Sequence, residues 1–226
     1  RACVEEYIVF SRRRGNKRGS GVVWDRRCEK ETAMQRKTDM VIRSAQALGT
    51  DRVVINGMYR FDHADPEAVR DLARRLNEAG SRLKEGGMEL LYHNHNCELR
   101  RVTPDKTAYE MIIEETDPAL VGFEFDSYWP TEAGADALAL MQALGSRRKP
   151  YHINDRGTRI TGTAMTPILK SDSMELGDGN MPLVSLLDQA KAAGVSAVIL
   201  ESHRNWVDKS PVKSFQRSAV FLNRHV

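Results

Sequence analysis

The sequence predicts an α/β protein in which parallel strands, each followed by a helix, form a barrel. From about residue 33 onwards, short apolar runs alternate with segments of helical periodicity, and the connections between them are short. The apolar runs lack the polar–apolar alternation of a sheet with one wet face, which suits barrel strands covered on both sides. An open doubly wound sheet is the main competitor, but no G-x-G-x-x-G pattern follows a first strand.

The helices are predicted from apolar stripes and from their start and stop residues. In the first, at residues 33–48, Val41, Ala45 and Leu48 recur at helical spacing, and Gly49 ends it. The second begins near Asp65-Pro66 and ends at the glycines 86–87. Its inner stripe comprises Val69, Leu72, Leu76 and Leu83. Further helices are predicted at residues 107–115, 136–144, 183–193 and 212–223.

The strands are predicted from short runs rich in β-branched and aromatic residues. These runs cover residues 52–56, 88–93, 120–126, 150–154 and 197–201. A weaker strand is expected within residues 160–176, and residues 4–10 are one further candidate.

The composition is that of an ordinary globular protein. Its 226 residues are 41% hydrophobic and 29% charged, and one barrel commonly fills such a length. We therefore expect a single domain over residues 1–226. No apolar run approaches the roughly 20 residues that cross a bilayer, and the start does not resemble a signal peptide. Three cysteines (Cys3, Cys28 and Cys97) form no C-x-x-C motif, which favours a reducing cytoplasm over a disulfide framework.

The positive net charge comes from one segment. Residues 1–30 hold nine Lys/Arg and four Asp/Glu, whereas the remainder holds 25 and 27. Residues 1–30 are therefore an atypical basic N-terminal segment whose basic residues concentrate at 11–27, and a solvated arm is favoured over a phosphate-binding loop. The charge pattern does not favour nucleic acid as a partner of the domain.

Polar residues follow four of the predicted strands at the point where each strand ends. His93 ends the strand at 88–93, Asp126 the strand at 120–126, His152 lies in the next, and Glu201 ends the last. Because active-site residues of parallel barrels come from the carboxyl ends of strands, we expect these four side chains to converge. A mixed imidazole and carboxylate site of this kind holds one Mn²⁺, Co²⁺, Zn²⁺ or Fe²⁺ ion. Mn²⁺ is favoured here.

Other polar and aromatic residues flank the same strand ends. They are His95, Glu98, Trp129, Asn154, Asp155 and His203. Each has a structural alternative: Asp155 is equally placed to cap a helix or to pair with Arg156, and Trp129 to pack at the rim.

At these residues the chain resembles the sugar phosphate isomerase/epimerase family of xylose isomerase-like barrels, in the subgroup that includes inosose dehydratase. The resemblance runs from about residue 32 to the C-terminus. It is carried by ALG at 47–49, YHNHNCEL at 92–99, ETDPALVGFEFDSYW at 115–129, HIND at 152–155, ELGDGNMPL at 175–183 and VILES at 198–202.

The resemblance implies a (β/α)₈ TIM barrel with one divalent metal ion at its mouth. By position, Asp126, His152 and Glu201 resemble three metal ligands. The fourth is His93, although His95 or Glu98 remain open, because many relatives have Glu at the position of His93. The segment before the first helix is shorter than the family's first strands require, which leaves open whether the barrel is complete at its N-terminus.

The resemblance also implies an activity, a metal-dependent sugar isomerase or epimerase. A metal bound to carbonyl and hydroxyl oxygens stabilises the enediolate formed when a proton is taken from the neighbouring carbon. Glu201 is expected to act as base, with His95 or Glu98 as the second acid/base group. Expelling a β-hydroxyl group would instead make the enzyme a dehydratase, a lyase acting on a keto-sugar or inosose.

The predicted substrate is a small sugar, keto-sugar or cyclitol. Trp129, Asn154, Asp155 and His203 are expected to bind it. Many relatives have Lys at the position of Asn154 and Asp at that of His203, so the individual substrate is not carried over. The sequence also leaves open whether the chain forms a homodimer.

Two other classes compete with this interpretation. Apurinic endonucleases share the barrel, but they need a metal cluster, and Trp129 stands where they would supply a further His. The second competing class is a sugar-binding barrel without catalytic activity. Absence of metal from the folded protein would favour this class.

Overall fold

The computed structural model describes residues 6–9, 22–24, 31–56, 61–159 and 170–226. The basic stretch at residues 11–27 lies outside these ranges except for Val22–Trp24, and so does most of the weaker strand expected within 160–176. The chain divides into two compact units, Arg1–Glu124 and Phe125–Val226. The single domain expected from the sequence stays a prediction.

The first unit is built on a sheet with helices between its strands. Its strands are β1 (Glu6–Val9), β2 (Val22–Trp24), β3 (Arg52–Asn56), β4 (Glu89–His93) and β5 (Val121–Asp126), and the last two residues of β5 belong to the second unit. Its helices are α1 (Glu31–Leu48), α2 (Pro66–Glu85) and α3 (Ala108–Glu115).

The order and direction of these strands confirm the predicted parallel sheet from β3 to β5. Val54 pairs with Leu91 and His93 with Glu124, both in parallel register. Strand β1 is antiparallel to both β2 and β3, which the sequence did not predict.

Local signals explain where the helices of this unit begin. Asp65 caps α2 by accepting a hydrogen bond from the Glu67 N–H, and Pro66 follows at the first position. Thr107 and Glu110 form a capping box at the start of α3. The predicted inner stripe of α2 is buried as expected. Inside, the Phe123 ring makes edge-to-face contacts with the rings of Tyr92 and Tyr109.

The second unit contains the remaining elements. They are α4 (Tyr128–Glu132), α5 (Ala137–Leu144), β6 (Arg148–Ile153), β7 (Asp155–Gly157), β8 (Asp172–Met174), α6 (Leu183–Ala192), β9 (Ala197–Leu200) and α7 (Pro211–His225). Strands β6 and β9 are parallel, with Ile153 opposite Leu200. The weaker predicted strand corresponds to β8, but it forms an antiparallel pair with β7 rather than a strand of the main sheet.

No helix in the described part of the chain is long and apolar enough to cross a membrane.

Candidate metal centre

Three of the predicted metal ligands lie in the second unit, at the carboxyl ends of its parallel strands. Asp126 is the last residue of β5, His152 the next to last of β6, and Glu201 directly follows β9. One ligand atom from each lies within 4.8 Å of the others. His152 Nδ1 is also hydrogen-bonded to Glu201 Oε2. The predicted convergence of these three side chains is therefore present in this unit.

The electrostatics of this group fit a divalent cation. Asp126 is only 2% exposed, and its Oδ1 accepts a hydrogen bond of 2.7 Å from the Tyr128 N–H. Burial, together with the negative charge of Glu201, raises the pKa of Asp126 to about 7. Two carboxylates and an imidazole form a hard, mixed oxygen and nitrogen donor set, and a bound cation would offset the cost of burying the charges.

His203 and Trp129, both predicted to bind substrate, lie beside this group. His203 Nε2 is 2.8 Å from Glu201 Oε1, and this hydrogen bond is the main cause of the raised pKa of His203. The His203 ring lies against the Trp129 indole, with 5.9 Å between ring centroids. Both side chains reach the surface at least in part, so together they form an accessible wall next to Glu201.

Asn154 and Asp155, also predicted to bind substrate, are engaged within the protein instead. Asn154 donates to Ser173 Oγ at 2.9 Å and accepts from the Asp155 N–H. The Asp155 carboxylate accepts N–H groups from the loop after β8. Because both side chains are buried and hydrogen-bonded, their contacts favour a supporting role over the substrate-binding one that the sequence suggested.

The other predicted residues lie in the first unit, at the end of β4 and in the turn after it. His93 is buried, with Nδ1 3.7 Å from Glu124 Oε1, and its ring meets that of His95 edge to face. Glu98 is fully buried and its carboxylate accepts from Tyr92 Oη at 2.8 Å and from the His95 N–H at 2.9 Å.

Sequence reasoning missed the part played by Glu175. This buried carboxylate accepts a hydrogen bond of 2.5 Å from Ser214 Oγ and another from the Val207 N–H at 3.3 Å, and it forms an ion pair with Arg159. It thereby ties the loop after β8 to the start of α7. The only sequence signal was its place at the head of the ELGDG stretch.

Parallel strands alternating with helices make this an α/β protein, and side chains that could hold a metal ion lie where its strands end. Residues 25–225 match the family model of xylose isomerase-like TIM barrels, and the chain belongs to this family. The fold class predicted from the sequence is thereby confirmed.

Similar proteins include an inosose dehydratase of Clostridium perfringens, 34% identical over 102 residues. That match covers 45% of this chain and 32% of the relative, so the alignment spans about a third of the relative's length. A sugar phosphate isomerase/epimerase from Parabacteroides distasonis has the same fold, with a TM-score of 0.66 at 23% identity over 86% of this chain and 66% of its own. The IOLI protein with a bound zinc atom gives 0.61 at 17% identity, over 88% and 72%.

Proposed function

We propose that this chain carries the active site of a divalent-metal-dependent isomerase or epimerase that takes a proton from the carbon next to a carbonyl group. The substrate class is a sugar, keto-sugar or inosose. One observation carries the proposal: ligand atoms of Asp126, His152 and Glu201 lie within 4.8 Å of one another at strand ends of a xylose isomerase-like chain.

The metal ligands of the proposal are Asp126, His152 and Glu201, with His93 as the fourth. His93, the last residue of β4, is assigned as the fourth ligand because the resemblance of the sequence implies it. When bound, the ion would act as a Lewis acid toward the carbonyl and hydroxyl oxygens of the substrate. Mn²⁺ suits a set rich in carboxylate, ahead of Co²⁺, Zn²⁺ and Fe²⁺.

The proton transfers are assigned to this chain's own side chains. Glu201 is the base, and its carboxylate is oriented by His152 on one oxygen and His203 on the other. His95 is the second acid/base group in preference to Glu98, because the Glu98 carboxylate is fully buried and already accepts hydrogen bonds within its own turn. Trp129 offers an aromatic face to a sugar ring.

Dehydration of an inosose is the second candidate, and the name of the Clostridium perfringens relative favours it. Both reactions share the first step, abstraction of the proton next to the carbonyl. They differ in the second step, since a dehydratase expels a β-hydroxyl group while an isomerase or epimerase returns a proton.

The proposal is tested with the wild-type protein beside Asp126→Asn, a variant of nearly unchanged volume. We expect the variant to hold one metal ion fewer per chain by elemental mass spectrometry, with an unchanged circular dichroism spectrum. Wild-type protein with Mn²⁺ should exchange a carbon-bound proton of keto-sugars or inososes with D₂O, and Asp126→Asn should not.

The mass of the product then separates the two candidates. Gain of deuterium without loss of water supports the isomerase or epimerase, and loss of water supports the dehydratase. Equal metal content in two folded proteins would mean that Asp126 is structural, and the proposed site would be abandoned. Several metal ions lost together in Asp126→Asn would instead support the endonuclease class.

A further inference from the structure

A second group of ligating side chains lies wholly within the first unit. His63 precedes α2, while Cys97 and Glu98 lie in the short 3₁₀ turn after β4. Each of the three offers one ligand atom, and these atoms lie within 4.8 Å of one another. None of the three is a metal ligand or an acid/base group in the proposed isomerase or dehydratase reaction.

His63 has the burial and the ring contacts of a neutral nitrogen ligand. The residue is only 2% exposed, and burial lowers its pKa. Its ring hydrogen-bonds the backbone carbonyl of Phe61, and Nε2 has no hydrogen-bond partner among the described residues. A ring proton on Nδ1, donated to that carbonyl, would leave the lone pair of the buried Nε2 free to bind a metal ion. Metal-bound imidazoles commonly donate their other N–H to a carbonyl in this way.

Cys97 and Glu98 supply a sulfur and an oxygen beside it. The half-buried Cys97 thiol donates to Glu98 Oε2 at 3.1 Å and is not in a disulfide. Glu98 Oε1 is held by the Tyr92 hydroxyl at 2.8 Å, which fixes the direction of the carboxylate. A buried carboxylate that already has a fixed outer partner resembles the ligands of structural metal sites.

We propose that His63, Cys97 and Glu98 hold a second divalent metal ion, with Zn²⁺ as the preferred ion. One nitrogen, one sulfur and one oxygen match the donors that zinc accepts, and a water molecule would complete a tetrahedron. Ligand atoms around tetrahedral zinc lie roughly 3.3–3.8 Å apart, so side-chain shifts of about 1 Å close the site. On binding, the Cys97 thiol loses its proton to solvent, and its hydrogen bond to Glu98 is replaced by a shared metal ion.

The ion would join two segments that are distant in sequence. His63 lies before α2, and the turn that carries Cys97 also holds His95, whose N–H donates to Glu98 Oε2. A metal ion here would therefore fix the turn of His95 against the start of α2. The inference does not depend on the proposed reaction, because its ligands are different residues.

The experiment uses Co²⁺ as the probe, because a thiolate ligand gives a sulfur-to-cobalt charge-transfer band and the first site contains no cysteine. The metal-free full chain carries Cys3→Ser and Cys28→Ser, so that Cys97 is the only thiol left. We expect the band in this protein, and we expect it to saturate near one equivalent of Co²⁺ when Asp126→Asn removes the first site. Cys97→Ser should abolish it, and His63→Gln should weaken Co²⁺ binding by at least 10-fold.

X-ray absorption of the zinc-loaded protein gives a second test that needs no variant at the site. One sulfur at roughly 2.3 Å from zinc supports the proposal. Absence of the band in folded protein, or an unchanged band in His63→Gln, would overturn it. The two proposals fail separately: equal metal content in wild type and Asp126→Asn would count against the proposed function, and absence of the cobalt–sulfur band would count against this inference.

Discussion

The imidazole of His203 donates a hydrogen bond of 2.8 Å to the carboxylate of Glu201, two positions earlier in the loop after β9. Glu201 also accepts from His152 on its other oxygen. The carboxylate is thus held from two sides, and the hydrogen bond raises the pKa of His203. A proposed metal ligand and base is in this way oriented by a residue outside the ligand set.

From this contact we predict that His203 raises the affinity of the proposed site for its metal ion. We expect His203→Ala to lower the affinity for Mn²⁺ by about 10- to 100-fold, because outer-shell partners of metal ligands typically have effects of that size. His203→Gln retains an N–H donor and should lose less. Calorimetric titration measures both, with Arg224→Ala, an exposed position on α7, as the control. Equal affinity in His203→Ala and wild type would contradict the orienting role.

From the contacts of the Asp155 carboxylate we predict that its removal lowers the free energy of unfolding strongly. It accepts the N–H groups of Gly177, Gly179 and Met181 at 3.0 to 3.1 Å. Asp155→Ala leaves these three donors without their acceptor, and because each costs about 1 kcal/mol or more, we expect a loss of at least about 3 kcal/mol in the free energy of unfolding.

Urea unfolding followed by circular dichroism measures this loss. Asp155→Asn keeps one acceptor oxygen and should fall between Asp155→Ala and wild type. Asp188→Ala, an exposed position on α6, is the control and should change stability by less than about 0.5 kcal/mol. An Asp155→Ala midpoint equal to that of wild type would show that the loop is held by other contacts.

From the surroundings of Glu175 we predict that the contribution of this residue to stability depends on pH. Burial would raise its pKa, but hydrogen bonds from Ser214 and Arg159 outweigh burial and lower the pKa below the ordinary 4.5. A group whose pKa is lower in the folded state stabilises the protein above its unfolded pKa, and this stability is lost as the pH falls through the folded value.

Glu175→Gln should therefore be less stable than wild type at neutral pH, by about 1–2 kcal/mol. The difference in unfolding free energy should shrink as the pH falls below 4.5. Urea unfolding at a series of pH values measures it, with the Glu85→Gln variant at the end of α2 as the matched control. A difference that stays constant down to the acid limit would argue against an ionic role for Glu175.

The close packing around Gly80 leads us to predict that α2 cannot accept a larger residue at this position. A Cβ atom there would lie 2.5 Å from the backbone oxygen of Leu120, so the helix or the loop before β5 has to move. We expect Gly80→Ala to destabilise by about 1–3 kcal/mol, although alanine is the better helix former by roughly 1 kcal/mol. Thermal unfolding beside Glu78→Ala, a position on the outer side of α2, checks this. A stabilised Gly80→Ala would mean that the close approach is not maintained.

The helices and parallel strands could be predicted because their signals are local. The start of α2 was predicted from Asp65-Pro66 and its buried stripe from the spacing of Val69, Leu72 and Leu76, and the structure confirms both. The antiparallel pairing of β7 with β8 was missed, since residues 155–157 and 172–174 are too short to show a pattern. His63 was missed for a similar reason, because a single histidine before a helix has no distinguishing neighbours.

The sequence by itself determined the order of the elements and which polar residues stand where strands end. Periodicity, caps and breakers act over a few residues, so they can be read along the chain. Only the tertiary structure decided what each polar side chain contacts. Asp155 is anchored to Gly179, 24 positions away, and Glu175 to Ser214, 39 positions away. Such partners are selected by the folding of distant segments against each other, and no local pattern specifies them.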